Sequence, residues 1–159
     1  NKKGIKTAVT GHDKFKNDVN EADAKVVIEV RVPAQVDDAA GKTEASTVLE
    51  KEDTIAIYGS NEFAAKAIIN ANGGFKESKL GADKILAVGF DSGALQQDAI
   101  RKGIFVGSVT QDPVQIGYQA VKLAIASAKG ETVKDVDTGS KWYDAKNIDS
   151  EEIKALLYE

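Results

Sequence analysis

KILAVGFDSGALQQDAIRKGIFVGSVTQDP, residues 84–113, contains two apolar runs that each lead into a polar side chain. Asp91 follows the run 85–90, and Gln111 follows the run 104–109. Apolar runs without alternation suit strands buried on both faces of a parallel sheet, and such sheets bind ligands beyond the carboxyl ends of their strands. An acid and an amide are therefore expected on one rim. Between them, residues 93–102 (GALQQDAIRK) read as a helix ended by Gly103, which is the crossover that a parallel pair requires.

The same alternation extends in both directions. Residues 5–10 and 26–32 read as strands, the second stopped by Pro33, and residues 54–58 (TIAIY) as a third. Phe15 and Val19, four apart, predict a helix over residues 12–22. A second helix is expected over 37–51, with Ala40, Ala45, Val48 and Leu49 on one side and Gly41 weakening its first turn. A third is capped by Ser60 or Asn61 and closed by Gly73-Gly74, with Ala64, Ala65, Ile68 and Ile69 inward. Pro113 opens the longest, whose apolar face is Val114, Gly117, Tyr118, Val121, Ala124, Ile125 and Ala128. A weak strand around 137–143 and a short helix at 150–157 complete the chain. The fold class is α/β, a doubly wound and mostly parallel sheet flanked by helices on both faces.

Composition excludes several classes of function. The 159 residues suffice for one ordinary domain. With no cysteine there is no disulfide, thiolate nucleophile or cysteine metal site. The 21 basic and 25 acidic residues are interspersed, which argues against a nucleic-acid partner. No apolar run approaches the roughly 20 residues of a membrane span. Methionine is absent, so the chain is expected to be a processed or excised piece of a longer polypeptide.

Motifs narrow the field further. Gly11-His12-Asp13-Lys14 stands where a dinucleotide site needs GxGxxG, and no GxxxxGK[ST] occurs. The GxSxG of a nucleophile elbow is also missing, and Thr10-Gly11-His12 and Gly59-Ser60-Asn61 lack the acids of a phosphoacceptor receiver. No catalytic residue, metal ligand or cofactor is expected. What remains at the strand ends is His12 and Asp13, then Gln35, Asn61, Asp91 and Gln111 in order. Carboxylates and amides of this kind suit a polyhydroxylated neutral ligand, since each hydroxyl both donates and accepts. Each also has a plainer reading: Asn61 as a helix cap, Asp91 as a turn residue, Gln111 as a loop residue, His12 as a surface residue.

The segments Tyr58-Gly59-Ser60-Asn61-Glu62, Val88-Gly89-Phe90-Asp91-Ser92-Gly93 and Val109-Thr110-Gln111-Asp112-Pro113 through Tyr118 resemble, in order and spacing, the second half of bacterial sugar-transport substrate-binding proteins of the ribose-binding-protein family. The tail, residues 137–149 and 156–159, is similar to that of Gram-positive members. The resemblance implies a carboxy-terminal lobe of a type 1 periplasmic-binding-protein fold, with a sugar held by Asn61, Asp91 and Gln111 and with His12 a neighbour by position. It implies residues 1–112 as the sugar-binding lobe, and residues 113–159 as a hinge-crossing long helix, return strand and tail. It also implies a missing amino-terminal lobe, a membrane permease as partner, and an extracytoplasmic location. An effector domain of a LacI-type transcription regulator shares this fold and is the alternative.

The sequence departs from the family in three places, one of them at about Val36, where some relatives carry an aromatic. The family arginine after the first strand is absent, and the stretch from Gly11 to Phe15 is several residues short. Without a first lobe, the stripe on the long helix is expected either to dock on this lobe or to bury itself against a second copy of the chain. Trp142 is expected in the core rather than as a stacking face for a sugar.

Overall fold

Strand and helix alternate from residue 26 onward, but not before it. The computed structural model describes residues 4–75 and 78–158. In chain order it contains β1 (Thr7–Thr10), β2 (Val26–Glu29), α1 (Asp38–Leu49), β3 (Ala56–Tyr58), α2 (Glu62–Ala71), β4 (Leu86–Phe90), α3 (Ala94–Arg101), β5 (Phe105–Gln111), α4 (Pro113–Ala128), β6 (Ser140–Tyr143) and α5 (Glu151–Lys154).

The helix expected over 12–22 does not form; turns and a single 3-10 turn, Glu21–Asp23, take its place. Short polar side chains there bond to backbone and compete with helical hydrogen bonds. His12 Nδ1 accepts from the Lys14 amide at 3.3 Å, and Asn20 Oδ1 from the Ala22 amide at 3.1 Å. Asn17 has the largest effect: its Oδ1 accepts from the Val9 amide and its Nδ2 donates to the Thr7 carbonyl, both at 3.0 Å. The Lys6 and Thr10 carbonyls point the other way and accept from Lys25 and Val30 beside β2. The Asn17 amide thus closes the edge of β1 that faces away from β2, as an adjoining strand would.

The strands accordingly form two sheets rather than one. β1 and β2 pair in parallel, and a four-stranded sheet runs in the order β3-β4-β5-β6. Its first three strands are parallel, with Tyr58 opposite Val88 and Phe90 opposite Val109; β6 runs antiparallel to β5. This is the mostly parallel α/β arrangement expected from the sequence. α1 packs on α2, α2 on β3 and β4, and α3 on β5.

One core joins these helices to the four-stranded sheet through Leu49, Ala65, Ile68, Ile69, Ala87, Ala99, Ile100, Ile104 and Phe105, with Tyr143, Ile148 and Ile153 closing its end. Each large apolar side chain buried here contributes about 1.5–3 kcal/mol. Gly41, which weakens α1 as an isolated helix, lies against Phe63 and Ala67 of α2, where a Cβ would come within 2.9 Å of the Phe63 ring. Close helix approach explains the glycine.

Two packing expectations are corrected. None of the residues of α4 is buried, so its stripe does not dock on this lobe; Val114, Tyr118, Val121 and Ile125 all stay exposed. Trp142 is 44 % exposed and lies over Gly107, while its neighbour Tyr143 is the fully buried aromatic. Along a strand successive side chains take opposite faces, so only one of the two could enter the core.

Gly59 ends β3 where the first turns of α2 pass closest. A Cβ at Gly59 would sit 2.6 Å from the Ala65 nitrogen and 2.8 Å from its Cα, which are backbone atoms that cannot rotate away. Gly59→Ala is expected to lower unfolding stability by about 1–3 kcal/mol in urea titrations. Unchanged stability would show that α2 stands further from β3.

Candidate functional site

Asn61, Asp91 and Gln111 lie at the carboxyl ends of β3, β4 and β5, three adjacent parallel strands. Each is held by a different local device.

Asn61 is the N-cap of α2: its backbone is extended and its Oδ1 accepts from the Ala64 amide at 2.9 Å. The Asp91 carboxylate reaches across from β4, where Oδ2 accepts from the Glu62 amide at 3.0 Å. Two of the four amides that a helix start leaves without intrahelical partners are thereby satisfied, one of them by an anion at the positive end of the helix. The cap reading of Asn61 is thus correct for its oxygen. Its Nδ2, the second oxygen of Asp91 and the whole side-chain amide of Gln111 have no partner among the described residues. The rim therefore offers one donor, one anionic acceptor and one group that does both.

Asp91 is the only non-glycine residue at positive φ among those described, at 75°. Such a conformation costs on the order of 1–3 kcal/mol and persists only where its surroundings impose it. Here both backbone groups are tied. The amide donates to the Val109 carbonyl at 2.7 Å, and the carbonyl accepts from Tyr143 OH at 2.8 Å, Ser108 Oγ at 2.9 Å and, more weakly, Gln96 Nε2 at 3.4 Å. All three side chains are essentially buried. Burial pushes the Tyr143 hydroxyl up to about 12, with the negative groups nearby adding to it.

Behind this clamp the tail is fastened to the loop after β4. Gln97 Nε2 donates to the Ser92 and Tyr158 carbonyls at 2.8 and 2.9 Å, and the buried hydroxyls of Ser92 and Thr110 lie 3.0 Å apart. Tyr158 OH donates to Glu62 Oε2 at 3.1 Å; burial raises this hydroxyl too. Glu62 also packs against Gly93, where a Cβ would displace its carboxylate.

Gln111 is the last residue of β5, opposite Ser140 of β6, and its side chain is exposed. Asp112 then caps α4, with Oδ1 accepting from the Gln115 amide at 2.9 Å. His12 follows β1, a strand of the two-stranded sheet. It lines an open concavity with Thr10, Asp13, Lys16, Asn17 and Glu21, and none of Asn61, Asp91 and Gln111 lines it. The His12 ring lies 5.2 Å from that of Phe15.

Sequence reasoning missed Tyr143, Ser108, Gln96 and Glu62. A signal existed for one of them: Ser108 lies inside a run otherwise suited to a fully buried strand, and a buried hydroxyl needs a partner. Among the described residues no group of three or more His, Cys, Asp or Glu is arranged to hold a metal ion, and no helix is long and apolar enough to cross a membrane.

Polar side chains at the carboxyl ends of adjacent parallel strands stand where open α/β sheets bind their ligands. The profile of the periplasmic binding protein domain matches residues 2–132, and the chain belongs to that family. Among solved structures, an ABC transporter, LacI family transcriptional regulator from Brachyspira murdochii is 38% identical, with a TM-score of 0.74, over 98% of this chain and 56% of that one. An ABC transporter solute binding protein from Agrobacterium vitis with bound D-fucose is 26% identical, with a TM-score of 0.73, over 99% of this chain and 58% of that one. A carbohydrate transporter solute binding protein from Agrobacterium radiobacter, in complex with D-arabinose, shares the fold at 21% identity and a TM-score of 0.69, over 97% of this chain and 55% of that one. The chain spans a little over half the length of these relatives. No curated protein matches it.

The raised Tyr143 hydroxyl makes a pH prediction. The ordinary tyrosine value is 10 and the folded one about 12, so the folded state holds this proton more tightly. Its contribution is complete below pH 10 and is lost as pH rises from 10 to 12. Tyr143→Phe should remove that loss. The stability of the parent relative to the variant is expected to fall by roughly 2–3 kcal/mol across this window in parallel denaturation curves. Parallel pH profiles would contradict the buried placement.

Proposed function

We propose that this chain supplies one sugar-binding face of the substrate-binding component of an ABC importer, acting by binding without catalysis in an extracytoplasmic compartment. The observation that carries the reading is the unspent hydrogen-bonding capacity at three neighbouring strand ends: Asp91 Oδ1, Asn61 Nδ2 and the Gln111 amide. A monosaccharide presents adjacent hydroxyls that match an acceptor, a donor and a mixed group in a row. Solved relatives with D-fucose and D-arabinose bound support the ligand class.

The division at residue 112 follows from the same reading. Residues 1–112 carry the rim, and residues 113–139 leave the sheet at Gln111 and return to it at Ser140 as an excursion whose helix buries nothing. The α4 stripe and the greater length of the relatives support a second lobe that covers α4 and closes over the sugar. A ligand touching both lobes favours the closed form only by its differential affinity for it, and the closed form is what a permease would recognise. His12 lines a concavity that none of the three rim residues lines, and is proposed as a further contact from the end of β1.

One face alone forgoes the enclosure. Calorimetry with D-fucose, D-arabinose and D-tagatose is expected to give dissociation constants in the range of about 0.1–10 mM for the best of them. Asp91→Asn keeps an oxygen for the Glu62 amide but removes the anionic acceptor, and is expected to weaken binding about five- to twentyfold. Micromolar binding would contradict the half-site, and indifference to Asp91→Asn would remove Asp91 from it.

A further inference from the structure

The backbone of Asp91, tied at both its amide and its carbonyl, determines where its carboxylate lies. Positive φ turns the residue out of the strand, and the carboxylate then reaches the first amide of α2 on a different strand–helix unit. A residue free to relax to negative φ would carry the carboxylate away from both Glu62 and the rim.

Three buried side chains oppose that relaxation by converging on one carbonyl oxygen, and they come from three elements. Gln96 belongs to α3, Ser108 to β5 and Tyr143 to β6. Gln96 shows that the arrangement is not one of minimal cost. Its Nε2 donates to the Phe90 carbonyl at 3.0 Å and also faces Asp91 O and Ser108 Oγ, while its Oε1 is buried with no partner among the described residues. Turning the amide over would set an oxygen against two carbonyls. The side chain is thus held in an orientation that leaves an acceptor unsatisfied, a pattern typical of sites where geometry is kept at the expense of stability.

Tyr143 is the distinctive member. It stands at the end of the strand that returns from the α4 excursion, so its hydroxyl links that return to the acid on the rim. We propose that Tyr143 is a positioning residue for the ligand-facing carboxylate of Asp91: with Ser108, it pins the Asp91 carbonyl, holds the residue at positive φ and thereby aims the carboxylate. This rests on the sugar-binding reading above for what the carboxylate faces, but the aiming itself does not. It also makes the rim sensitive to the segment 113–139, because displacing β6 withdraws the hydroxyl.

The test uses the 159-residue chain with Tyr143→Phe, which keeps the buried ring, and Ser108→Ala, which removes a second donor from the same oxygen. The Glu62 amide proton is followed by NMR, and D-fucose, D-arabinose and D-tagatose serve as probes. In both variants the Glu62 amide resonance is expected to move upfield and to exchange with solvent roughly fivefold faster or more, and the affinity for any sugar bound to fall by a similar factor. Amides of the distant cap at Ala40, held by Asp37, should not change. If the Glu62 signature shifts while the parent binds none of the three sugars, the positioning role stands and the ligand class is wrong. If Glu62 is unmoved in both variants, or if sugar affinity falls without a change at Glu62, the proposal is overturned. Should Tyr143→Phe fail to fold, Ser108→Ala alone decides by the same readouts.

Discussion

The rim depends on the carbonyl oxygen of Asp91. It lies where the apolar run of β4 ends, and it accepts from a tyrosine and a serine within hydrogen-bonding distance, with a glutamine at longer range. Because the backbone is fixed on both sides, the side chain is free of structural duty except through one oxygen, which caps α2. The other oxygen is left for chemistry. The same economy recurs at Asn61, where the amide oxygen caps the helix and the amide nitrogen is unspent. In both side chains one atom caps the helix and another is left for the binding role proposed for it.

That division changes how the plain readings of these residues bear on function. A helix cap and a ligand contact are often treated as competing accounts of an asparagine, yet the cap is what fixes the direction of the remaining nitrogen. Pre-set direction matters because a donor that must first be ordered gives back part of its binding energy as lost entropy. By contrast, no residue of α4 is buried, and its apolar stripe stays exposed.

Much of this was legible in the sequence, and the parts that were not have physical reasons. Residues 84–113 fixed two strands, their crossover and two of the rim residues because apolar runs bounded by glycine leave few alternatives. Asn61 was readable as a cap from its place before an alanine-rich helix. The segment 12–22 was misread because the Phe15–Val19 spacing is a two-point pattern, while Asn17 could bond to the edge of β1, a contact that local periodicity does not encode. Trp142 was expected in the core, but alternation along β6 buries Tyr143 instead, and a four-residue strand in a polar tail carries no register of its own. Tyr143, Ser108 and Gln96 converge from residues far apart in the chain, and only the tertiary structure brings them to one oxygen.

The measurement that bears most directly on the account is a map of which amides respond when D-fucose, or whichever related sugar binds best, is added to the isotope-labelled chain. The account predicts that the largest shifts fall on the side-chain amides of Asn61 and Gln111 and on the backbone around Asp91. Shifts confined to the concavity around His12 or to the stripe of α4, with these three unmoved, would contradict it.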